Sequence, residues 1–238
     1  MIRVMTYNIC NANGVNATGE LQPQDISAVA RVIREAGADL VGLNEVDFHT
    51  DRLGLDRDLV GELGAQLGMH HAFGRATFMC GGEYGNALLS RWPLENVTVT
   101  PVSEATTDGE ESRSIVSAMV TTPDGRLRVM CTHFSWMHEY LRINAARVIT
   151  GLATGELPSI VLGDLNAWPD SEPLRVLTGV LKDTATGRSD LLTFPSHAPE
   201  IKIDYILVSP QIRVEAVETP KALASDHLPL IATLNLAG

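Results

Sequence analysis

Ten short apolar segments of strand-like composition recur along the sequence, and they restrict the fold more than any other feature. They occupy residues 2–10, 39–46, 70–75, 85–90, 97–102, 114–121, 126–134, 159–164, 203–209 and 228–236. Four segments with the apolar period of an amphipathic helix lie among them, at residues 24–35, 58–67, 140–152 and 172–177. Because an apolar sheet face must be buried against another layer, this order predicts two packed, largely antiparallel sheets with helices outside them.

Local signals agree with these elements. In the first predicted helix the apolar residues fall on one stripe, and Gly37 follows as a stop signal. Pro123-Asp124-Gly125 lies between two strand-like segments and predicts a tight hairpin turn. No Pro-, Gly- or Ser-rich linker interrupts the chain, so we expect one catalytic domain over residues 1–238. Long loops at residues 11–23, 48–56, 78–84, 103–113 and 186–202 are expected to supply part of a cleft.

The bulk composition is that of an ordinary globular protein, with 45% hydrophobic and 20% charged residues. No apolar run reaches the roughly 20 residues that span a bilayer. The first residues run directly into a strand-like segment without the pattern of a signal peptide. The three cysteines, Cys10, Cys80 and Cys131, show no metal-type spacing. We therefore expect a cytoplasmic protein with reduced cysteines.

The formal net charge of −11 bears on the substrate. Proteins that bind long nucleic acids do so mainly by neutralising phosphates with Lys and Arg. This acidic chain contains no run of basic residues, which disfavours extended contact with duplex DNA but does not exclude a nuclease.

Polar residues stand at the ends of several apolar segments, namely Asn8, Glu45, His133, Asp164 with Asn166, and Asp226 with His227. A strand fixes the backbone while the side chain at its end reaches into a cleft. Each residue alone has an ordinary structural explanation, such as a turn-forming Asn or a structural His. Together, these carboxylate, amide and imidazole groups predict a metal-assisted hydrolase.

Hydrolysis of a phosphoester needs a cation on the phosphoryl oxygens and a base that aims a water molecule. Mg²⁺ prefers carboxylate and amide oxygens, so Glu45 is a candidate ligand, and Asn8 could support it or bind the metal through its amide oxygen. Asp164 and Asn166 are two residues apart in an extended segment and point to the same side. Asp164 could orient the attacking water, and the alternative explanation of both residues is an Asx-turn before Pro169.

The imidazole of His227 needs a carboxylate to hold its tautomer. Asp204 is flanked by apolar residues, so its carboxylate is expected to be partly buried and to require a partner. We expect Asp204 to pair with His227, which leaves Asp226 free to face the metal. His133 could donate a hydrogen bond to a phosphoryl oxygen.

Seven segments, in order, resemble motifs of the endonuclease/exonuclease/phosphatase superfamily, which includes deoxyribonuclease I. They are Thr6-Tyr7-Asn8-Ile9, Leu43-Asn44-Glu45-Val46, Gly85-Asn86-Ala87-Leu88-Leu89-Ser90, Thr132-His133-Phe134, Gly163-Asp164-Leu165-Asn166, Ile203-Asp204-Tyr205-Ile206 and Ser225-Asp226-His227. The resemblance implies a four-layer α/β/β/α sandwich with the site at one end of two mainly antiparallel sheets.

The resemblance also implies that Glu45 binds Mg²⁺ or Mn²⁺, with Asn8 and Asp226 close to the metal. It implies that Asp164, helped by Asn166, activates the water, and that Asp204 and His227 stabilise phosphate charge. His133 stands where sphingomyelinase-, phosphatase- and deoxyribonuclease I-like members carry His. Asn86 and Arg113 are candidate substrate-binding residues, and for Arg113 a solvent-facing position is an equal alternative. The expected activity is a phosphoesterase acting on a small or lipid-like substrate, the alternatives being a nuclease and a non-catalytic binding protein on the same scaffold.

Overall fold

The structure, a computed structural model, describes residues 1–236, which form fourteen strands, four α-helices and a short 3-10 helix at Cys10–Ala12. The strands are β1 (Ile2–Asn8), β2 (Asn13–Val15), β3 (Leu21–Gln24), β4 (Leu40–Phe48), β5 (His70–Met79), β6 (Gly82–Ser90), β7 (Glu95–Ser103), β8 (Arg113–Thr122), β9 (Gly125–His133), β10 (Ser159–Asp164), β11 (Lys182–Asp183), β12 (Asp204–Val208), β13 (Arg213–Glu218) and β14 (Leu230–Asn235). The helices are α1 (Ile26–Ala36), α2 (Leu59–Leu67), α3 (Glu139–Ala153) and α4 (Glu172–Thr178).

Two six-stranded sheets form the centre of the molecule. The first has the strand order β13-β14-β1-β4-β6-β5, and the second has the order β11-β12-β10-β9-β8-β7. Within each sheet one pair is parallel, β1 with β4 and β9 with β10, and the other described pairs are antiparallel. A helix lies in each parallel connection, α1 in the first and α3 in the second, as parallel crossovers require.

The helices cover the outer faces of the sheets. Residues of α1 and α2, such as Ile33 and Leu63, pack on the first sheet, and residues of α3 and α4, such as Ile149 and Leu177, pack on the second. A third apolar core fills the space between the two sheets. The layers therefore run helix, sheet, sheet, helix, which confirms the predicted four-layer sandwich.

The ends of α1 follow from its sequence. The Asp25 side chain accepts a hydrogen bond from the backbone N–H of Ala28 at 2.9 Å, and thus satisfies one of the free donors at the N-terminus. Gly37 ends the helix with φ of 61°, a left-handed conformation that glycine adopts without strain. The residues of the predicted stripe, Ile26, Val29, Ala30 and Ile33, are all buried.

Each of the predicted strands and helices overlaps an observed one, and Pro123-Asp124 forms the turn between β8 and β9. Strands β2, β3, β11 and β13 were not predicted. Strand β13 lies at the sheet edge and its residues are at least partly exposed, so its sequence lacks the apolar signal of an inner strand. Within residues 1–236, no helix is both long and apolar enough to cross a membrane.

Candidate active site

Strand direction brings four of the predicted residues to one end of the first sheet. Strands β1 and β4 are parallel and pair Asn8 with Asn44, so that Glu45 lies beside the end of β1. Strand β14 is antiparallel to β1, and the segment before it, with Asp226 and His227, therefore returns to the same end. The hydroxyl of Ser225 holds this segment against the end of β1, because it donates to the backbone oxygen of Asn8 at 2.7 Å.

The second sheet places its predicted residues in the same way. Strands β9 and β10 are parallel and pair His133 with Asp164. Strand β12 is antiparallel to β10, so its first residue, Asp204, pairs with Asp164 from the other side. Asn166 follows two residues after β10, and its backbone N–H donates to the Asp164 carboxylate at 2.9 Å.

Asn8 joins the two groups across the gap between the sheets. Its amide nitrogen lies 2.9 Å from Oε1 of Glu45 and 3.2 Å from Oδ2 of Asp164. Its amide oxygen is directed elsewhere, because it accepts the backbone N–H of Cys10 at 3.1 Å. Asn8 therefore meets the carboxylates as a hydrogen-bond donor. Of the two expectations for Asn8, these contacts favour support of Glu45 over metal binding through the amide oxygen.

Glu45 occupies an unusual backbone position for a strand residue. Its φ is 57°, in the left-handed region, and the pairing register of β4 with β6 shifts between Leu43 and Val46. A bulge of this kind redirects one side chain without ending the strand. The conformation is strained for a residue with a side chain, and such strain is typical of functional sites. It turns the Glu45 carboxylate into the cleft.

His227 is held between two carboxylates, as predicted for its pairing with Asp204. Nδ1 of the imidazole lies 2.9 Å from Oδ2 of Asp204, and Nε2 lies 3.7 Å from Oδ2 of Asp164. Burial alone would lower the pKa of His227, but the charges of Asp204, Asp164 and Asp226 outweigh it and raise the pKa to about 10. The imidazole is therefore a buried cation at neutral pH.

Asp164 has the properties of a general base. Burial raises the pKa of its carboxyl to about 7, and the negative charge of Asp204 adds to the effect, while the His227 cation opposes it. A value near neutrality suits proton transfer at physiological pH. Ligand atoms of Asp164, Asp204 and His227 all lie within 4.8 Å of one another. Because the imidazole is hydrogen-bonded to Asp204 and its other nitrogen lies at ion-pair distance from Asp164, we interpret this trio as a proton-handling group.

His133 and Asn166 contact each other beside Asp164. The amide nitrogen of Asn166 donates to the backbone oxygen of Phe134 and to Nε2 of His133, both at 3.1 Å. Burial lowers the pKa of His133 well below its usual value, and the positive charges of Arg113 and His227 lower it further. His133 is therefore neutral, and in this arrangement its Nε2 accepts a hydrogen bond from Asn166.

The donor set on the cleft wall fits a hard divalent cation. Glu45 and Asp226 both line the cleft, and both are only partly buried. Both carboxylates lie close to Cys10. Burial raises the pKa of this thiol, and the negative charges of Asp226 and Glu45 raise it further. Two carboxylates with solvent access suit Mg²⁺ or Mn²⁺, which keep several water ligands. Glu45 and Asp226 are thus the residues that could hold the metal.

These residues open into one cleft of about 560 Å³, a size typical of small-molecule sites. Each of the five long loops supplies residues to it, among them Asn11, Arg52, Met79, Glu111 and Phe194.

Arg52 was missed by sequence reasoning. Its guanidinium makes two hydrogen bonds, of 2.7 and 2.8 Å, with the fully buried carboxylate of Asp47, and a third of 3.0 Å with Asn11. The sequence signal was Asp47 itself, a charged residue between Val46 and Phe48 directly after a predicted apolar strand.

Arg113 lines the cleft but is not solvent-facing, since only 5% of it is exposed. Its guanidinium donates to Oε1 of Glu110 at 2.9 Å and lies 3.5 Å from Glu111. Glu110, also missed in the sequence, is buried and additionally accepts hydrogen bonds from Ser135 and from the backbone N–H of Met137. It ties Arg113 to the loop that follows β9.

Asn86 does not reach the cleft. Its side chain is buried, its oxygen accepts from Asn44 at 2.7 Å, and its nitrogen donates to the backbone oxygen of Ser114 at 3.0 Å. The expectation of substrate contact is therefore replaced by a structural role. Asn44 is the centre of this network, because it also donates to Thr132 and accepts the backbone N–H of Asp164 at 2.9 Å. It links the two sheets directly behind the candidate site.

The fold and the site first define a class, the four-layer sandwich with a polar cleft at one end of its sheets. Several solved structures share this fold. One from Bacteroides thetaiotaomicron, described as an endonuclease/exonuclease/phosphatase family protein, has a TM-score of 0.79 and 20% identity, covering 98% of this chain and 97% of its own. A mannosyl-6-phosphatase of the same organism has a TM-score of 0.78 and 19% identity, covering 98% and 99%. At these identities the likeness shows the fold alone.

The family follows from the sequence match. The model of the Endonuclease/Exonuclease/phosphatase family matches residues 5–227, and the chain belongs to this family. The uncharacterized protein YbhP of Escherichia coli K12 is 32% identical over 181 residues, 69% of this chain and 68% of that protein. A family protein from Beutenbergia cavernae is 25% identical with a TM-score of 0.78, covering 100% of this chain and 72% of its own. Members of the family hydrolyse phosphoester bonds and generally depend on a divalent metal.

Proposed function

We propose that this protein is a divalent-metal-dependent phosphoesterase that acts, as one catalytic domain, on a small or lipid-like phosphoester. The observation that supports this proposal best is the meeting of Glu45, Asp164 and His227, from three distant segments, in a single cleft. Family membership supports the reaction class, since the members hydrolyse phosphoester bonds.

In this proposal Glu45 and Asp226 hold Mg²⁺ or Mn²⁺. When bound, such a cation would neutralise negative charge on the phosphoryl oxygens and on the leaving oxygen. Asn8, whose amide nitrogen lies 2.9 Å from Oε1 of Glu45, keeps that carboxylate in place. The left-handed backbone of Glu45 directs its side chain into the cleft. Little conformational entropy is then lost when the carboxylate binds a metal.

The water is aimed and deprotonated by Asp164. Its carboxyl, with a pKa raised by burial to about 7, accepts hydrogen bonds from Asn8 and from the backbone of Asn166. These bonds fix the direction of the remaining lone pairs, which a general base requires. The buried imidazolium of His227, held by Asp204 at 2.9 Å, contributes positive charge next to the developing negative charge.

A small substrate agrees with the charge distribution. Of six arginines that could attract a polynucleotide, Arg91, Arg113, Arg126, Arg128, Arg142 and Arg147, Arg113 is the one that lines the cleft. Arg91 and Arg126 form surface ion pairs with Asp39 and Glu95. We propose action in the cytoplasm, since all three cysteines carry free thiols, as is typical of a reducing compartment.

The direct test is hydrolysis of bis-p-nitrophenyl phosphate with Mg²⁺ or Mn²⁺. Asp164→Asn keeps the shape of the side chain but removes the base, so we expect the rate to fall on the order of 10³-fold or more. EDTA should abolish the activity, and added Mn²⁺ should restore it. Asp170→Asn, an exposed position outside the cleft, should leave the rate unchanged.

Activity that is indifferent to EDTA and to Asp164→Asn would contradict the mechanism. Rapid degradation of plasmid DNA or single-stranded RNA at physiological salt would instead favour the nuclease alternative. A protein that neither binds Mn²⁺ nor hydrolyses any ester would be the non-catalytic binding protein.

A further inference from the structure

Two tryptophan side chains are left in solvent at the mouth of the cleft. Trp136 is 64% exposed and Trp168 is 60% exposed, and both line the same cavity as Asp164 and His227. Exposing an indole forgoes the favourable burial of a large apolar surface. In residues 1–236 neither indole forms a ring contact with another aromatic side chain. Most of each tryptophan side chain is therefore accessible to a ligand.

The backbone beneath each indole is fixed. Arg142 donates to the carbonyl oxygens of Ser135 and Trp136 at 3.0 and 3.3 Å. The carbonyl of Trp168 accepts the backbone N–H of Ser171 at 3.0 Å, and that of Ala167 accepts the hydroxyl of Tyr205 at 2.8 Å. The exposure is thus a property of anchored loops, and binding to them costs little ordering entropy.

The two loops leave neighbouring strands directly beside the reactive groups. Trp136 follows His133 by three residues and Trp168 follows Asn166 by two residues. The loops are joined at their bases. The backbone N–H of Phe134 donates to the backbone oxygen of Asp164 at 3.0 Å, and the side-chain amide of Asn166 donates to the backbone oxygen of Phe134 at 3.1 Å. A ring held by the indoles would therefore be attached close to a phosphate at Asp164.

The adjoining wall is apolar. Ile201, Ile203 and Phe194 line the cleft, and the backbone oxygen of Ile203 accepts the N–H of Leu165 at 2.9 Å, which sets this wall against the Trp168 loop. A sugar ring presents hydroxyl groups around its edge and needs polar partners. A nucleobase presents two flat π-faces, which stack on indoles regardless of base identity. Polar side chains such as Asn11, Glu111 and Arg113 line other parts of the cleft. The side chains of this one wall offer no hydrogen-bond partner to hydroxyl groups, and the wall therefore favours the base.

We propose that Trp136 and Trp168 form a stacking subsite for a single nucleobase, and that the phosphoester substrate of this cleft is a nucleotide or a small nucleotide derivative. This inference rests on the proposed phosphoesterase function and specifies its substrate class. The volume of about 560 Å³ accommodates a ligand of nucleotide size, and the net charge of −11 disfavours a long polyanion.

The test compares the binding of adenosine monophosphate and ribose 5-phosphate, which differ at C1′, where the first carries adenine and the second a hydroxyl group. Both are titrated calorimetrically, with Mg²⁺ present, into the Asp164→Asn protein, which cannot consume them. We expect the dissociation constant of adenosine monophosphate to be lower than that of ribose 5-phosphate by a factor of about ten or more. Trp136→Ala and Trp168→Ala should each remove most of this preference without weakening ribose 5-phosphate. Trp136→Phe and Trp168→Phe, which keep an aromatic face, should retain part of it.

Tyr140→Ala is the matched control, because Tyr140 is 56% exposed but does not line the cleft. Equal affinity for the two ligands, no binding of adenosine monophosphate at millimolar concentration, or a preference that survives both alanine substitutions would overturn the subsite. Binding requires no turnover, so the two proposals fail separately. A base preference without hydrolysis of any ester refutes the phosphoesterase, and hydrolysis without a base preference refutes only the subsite.

Discussion

At the scale of single residues, Asn8 allows the carboxylates of Glu45 and Asp164, which come from different sheets, to lie close together. Its NH₂ group donates to both Glu45 and Asp164, while the backbone N–H of Cys10 fixes the orientation of the amide. Carboxylates so close together repel one another unless a donor or a cation lies between them. The amide is therefore a permanent spacer, present whether or not a metal is bound.

We predict that Asn8→Asp destabilises the protein by about 2–4 kcal/mol near pH 7, because it replaces a donor with a third negative charge at hydrogen-bond distance. Repulsion raises the pKa of the introduced carboxyl in the folded state, so the penalty should shrink as the pH falls to about 5 and that group takes up a proton. Urea unfolding at both pH values measures this. An equal penalty at the two values would contradict the electrostatic explanation.

A second prediction concerns Arg52, which neutralises the fully buried carboxylate of Asp47. Arg52→Met should cost about 2–3 kcal/mol, below the value for a fully buried pair because Arg52 is partly exposed. The double variant Asp47→Asn/Arg52→Met should cost less than Arg52→Met alone, since no buried charge is then left unpaired. Both are measured by urea unfolding.

Arg57→Met provides the comparison, because Arg57 forms an exposed pair with Glu62. It should cost less than about 1 kcal/mol. If Arg52→Met is as mild as Arg57→Met, then Asp47 has another source of compensation.

At the scale of elements, the two parallel strand pairs determine where the reactive groups stand. Strands β9 and β10 approach closely at Gly163, where an added Cβ would lie only 2.0 Å from the backbone oxygen of Thr132. The position immediately before the candidate base thus has no room for a side chain. Close pairing there keeps Asp164 opposite His133.

We predict that Gly163→Ala destabilises the protein by about 3 kcal/mol and lowers activity, because the two strands must separate and displace Asp164. Gly151→Ala is the matched control. Gly151 is exposed within α3, and a Cβ there meets nothing within 4 Å, so the change should instead stabilise the protein by roughly 0.5–1 kcal/mol. Thermal or urea unfolding distinguishes the two. If Gly163→Ala has no effect on stability, the two strands can separate at this position without a measurable cost.

Much of this element-level order could be predicted from the sequence. The inner strands carry long apolar runs. A polar residue at an end of such a run, such as Asp164 or Asp204, can therefore be recognised in the sequence as a candidate site residue. Pairing of Asp204 with His227 could be inferred because a carboxylate between apolar neighbours needs a partner. Edge strand β13 was not predicted because three of its four exposed positions carry charged residues, Arg213, Glu215 and Glu218, as a loop would.

What the sequence could not predict depends on contacts between distant segments. The amide orientation of Asn8 follows from the N–H of Cys10. The structural role of Asn86 follows from Asn44 and Ser114, and no local pattern distinguishes such an amide from one that faces a ligand. The left-handed backbone of Glu45 is equally invisible, since glutamate rarely adopts it.

At the scale of the whole molecule, an acidic chain concentrates carboxylates at one end of its two sheets. Such a site is expected to be more stable with a cation than without one. We predict that Mn²⁺ at about 100 times its dissociation constant stabilises the protein by about 2.7 kcal/mol and raises Tm by about 5 °C or more.

Glu45→Gln and Asp226→Asn should each reduce this increase in Tm, measured by differential scanning fluorimetry. Asp190→Asn, a surface position paired with Arg188, should preserve it. An undiminished increase in the first two variants would place the metal elsewhere.

The pairing of β1 with β14 joins segments separated by more than two hundred residues, as in the register of Ile2 with Leu234. During synthesis the edge of β1 that pairs with β14 therefore stays unpaired until residue 234 has left the ribosome. Asp226 and His227 emerge only shortly before. We expect a ribosome that stalls earlier to produce a chain that lacks both a sheet neighbour of β1 and two residues of the candidate site. Such a chain should be inert and prone to aggregation.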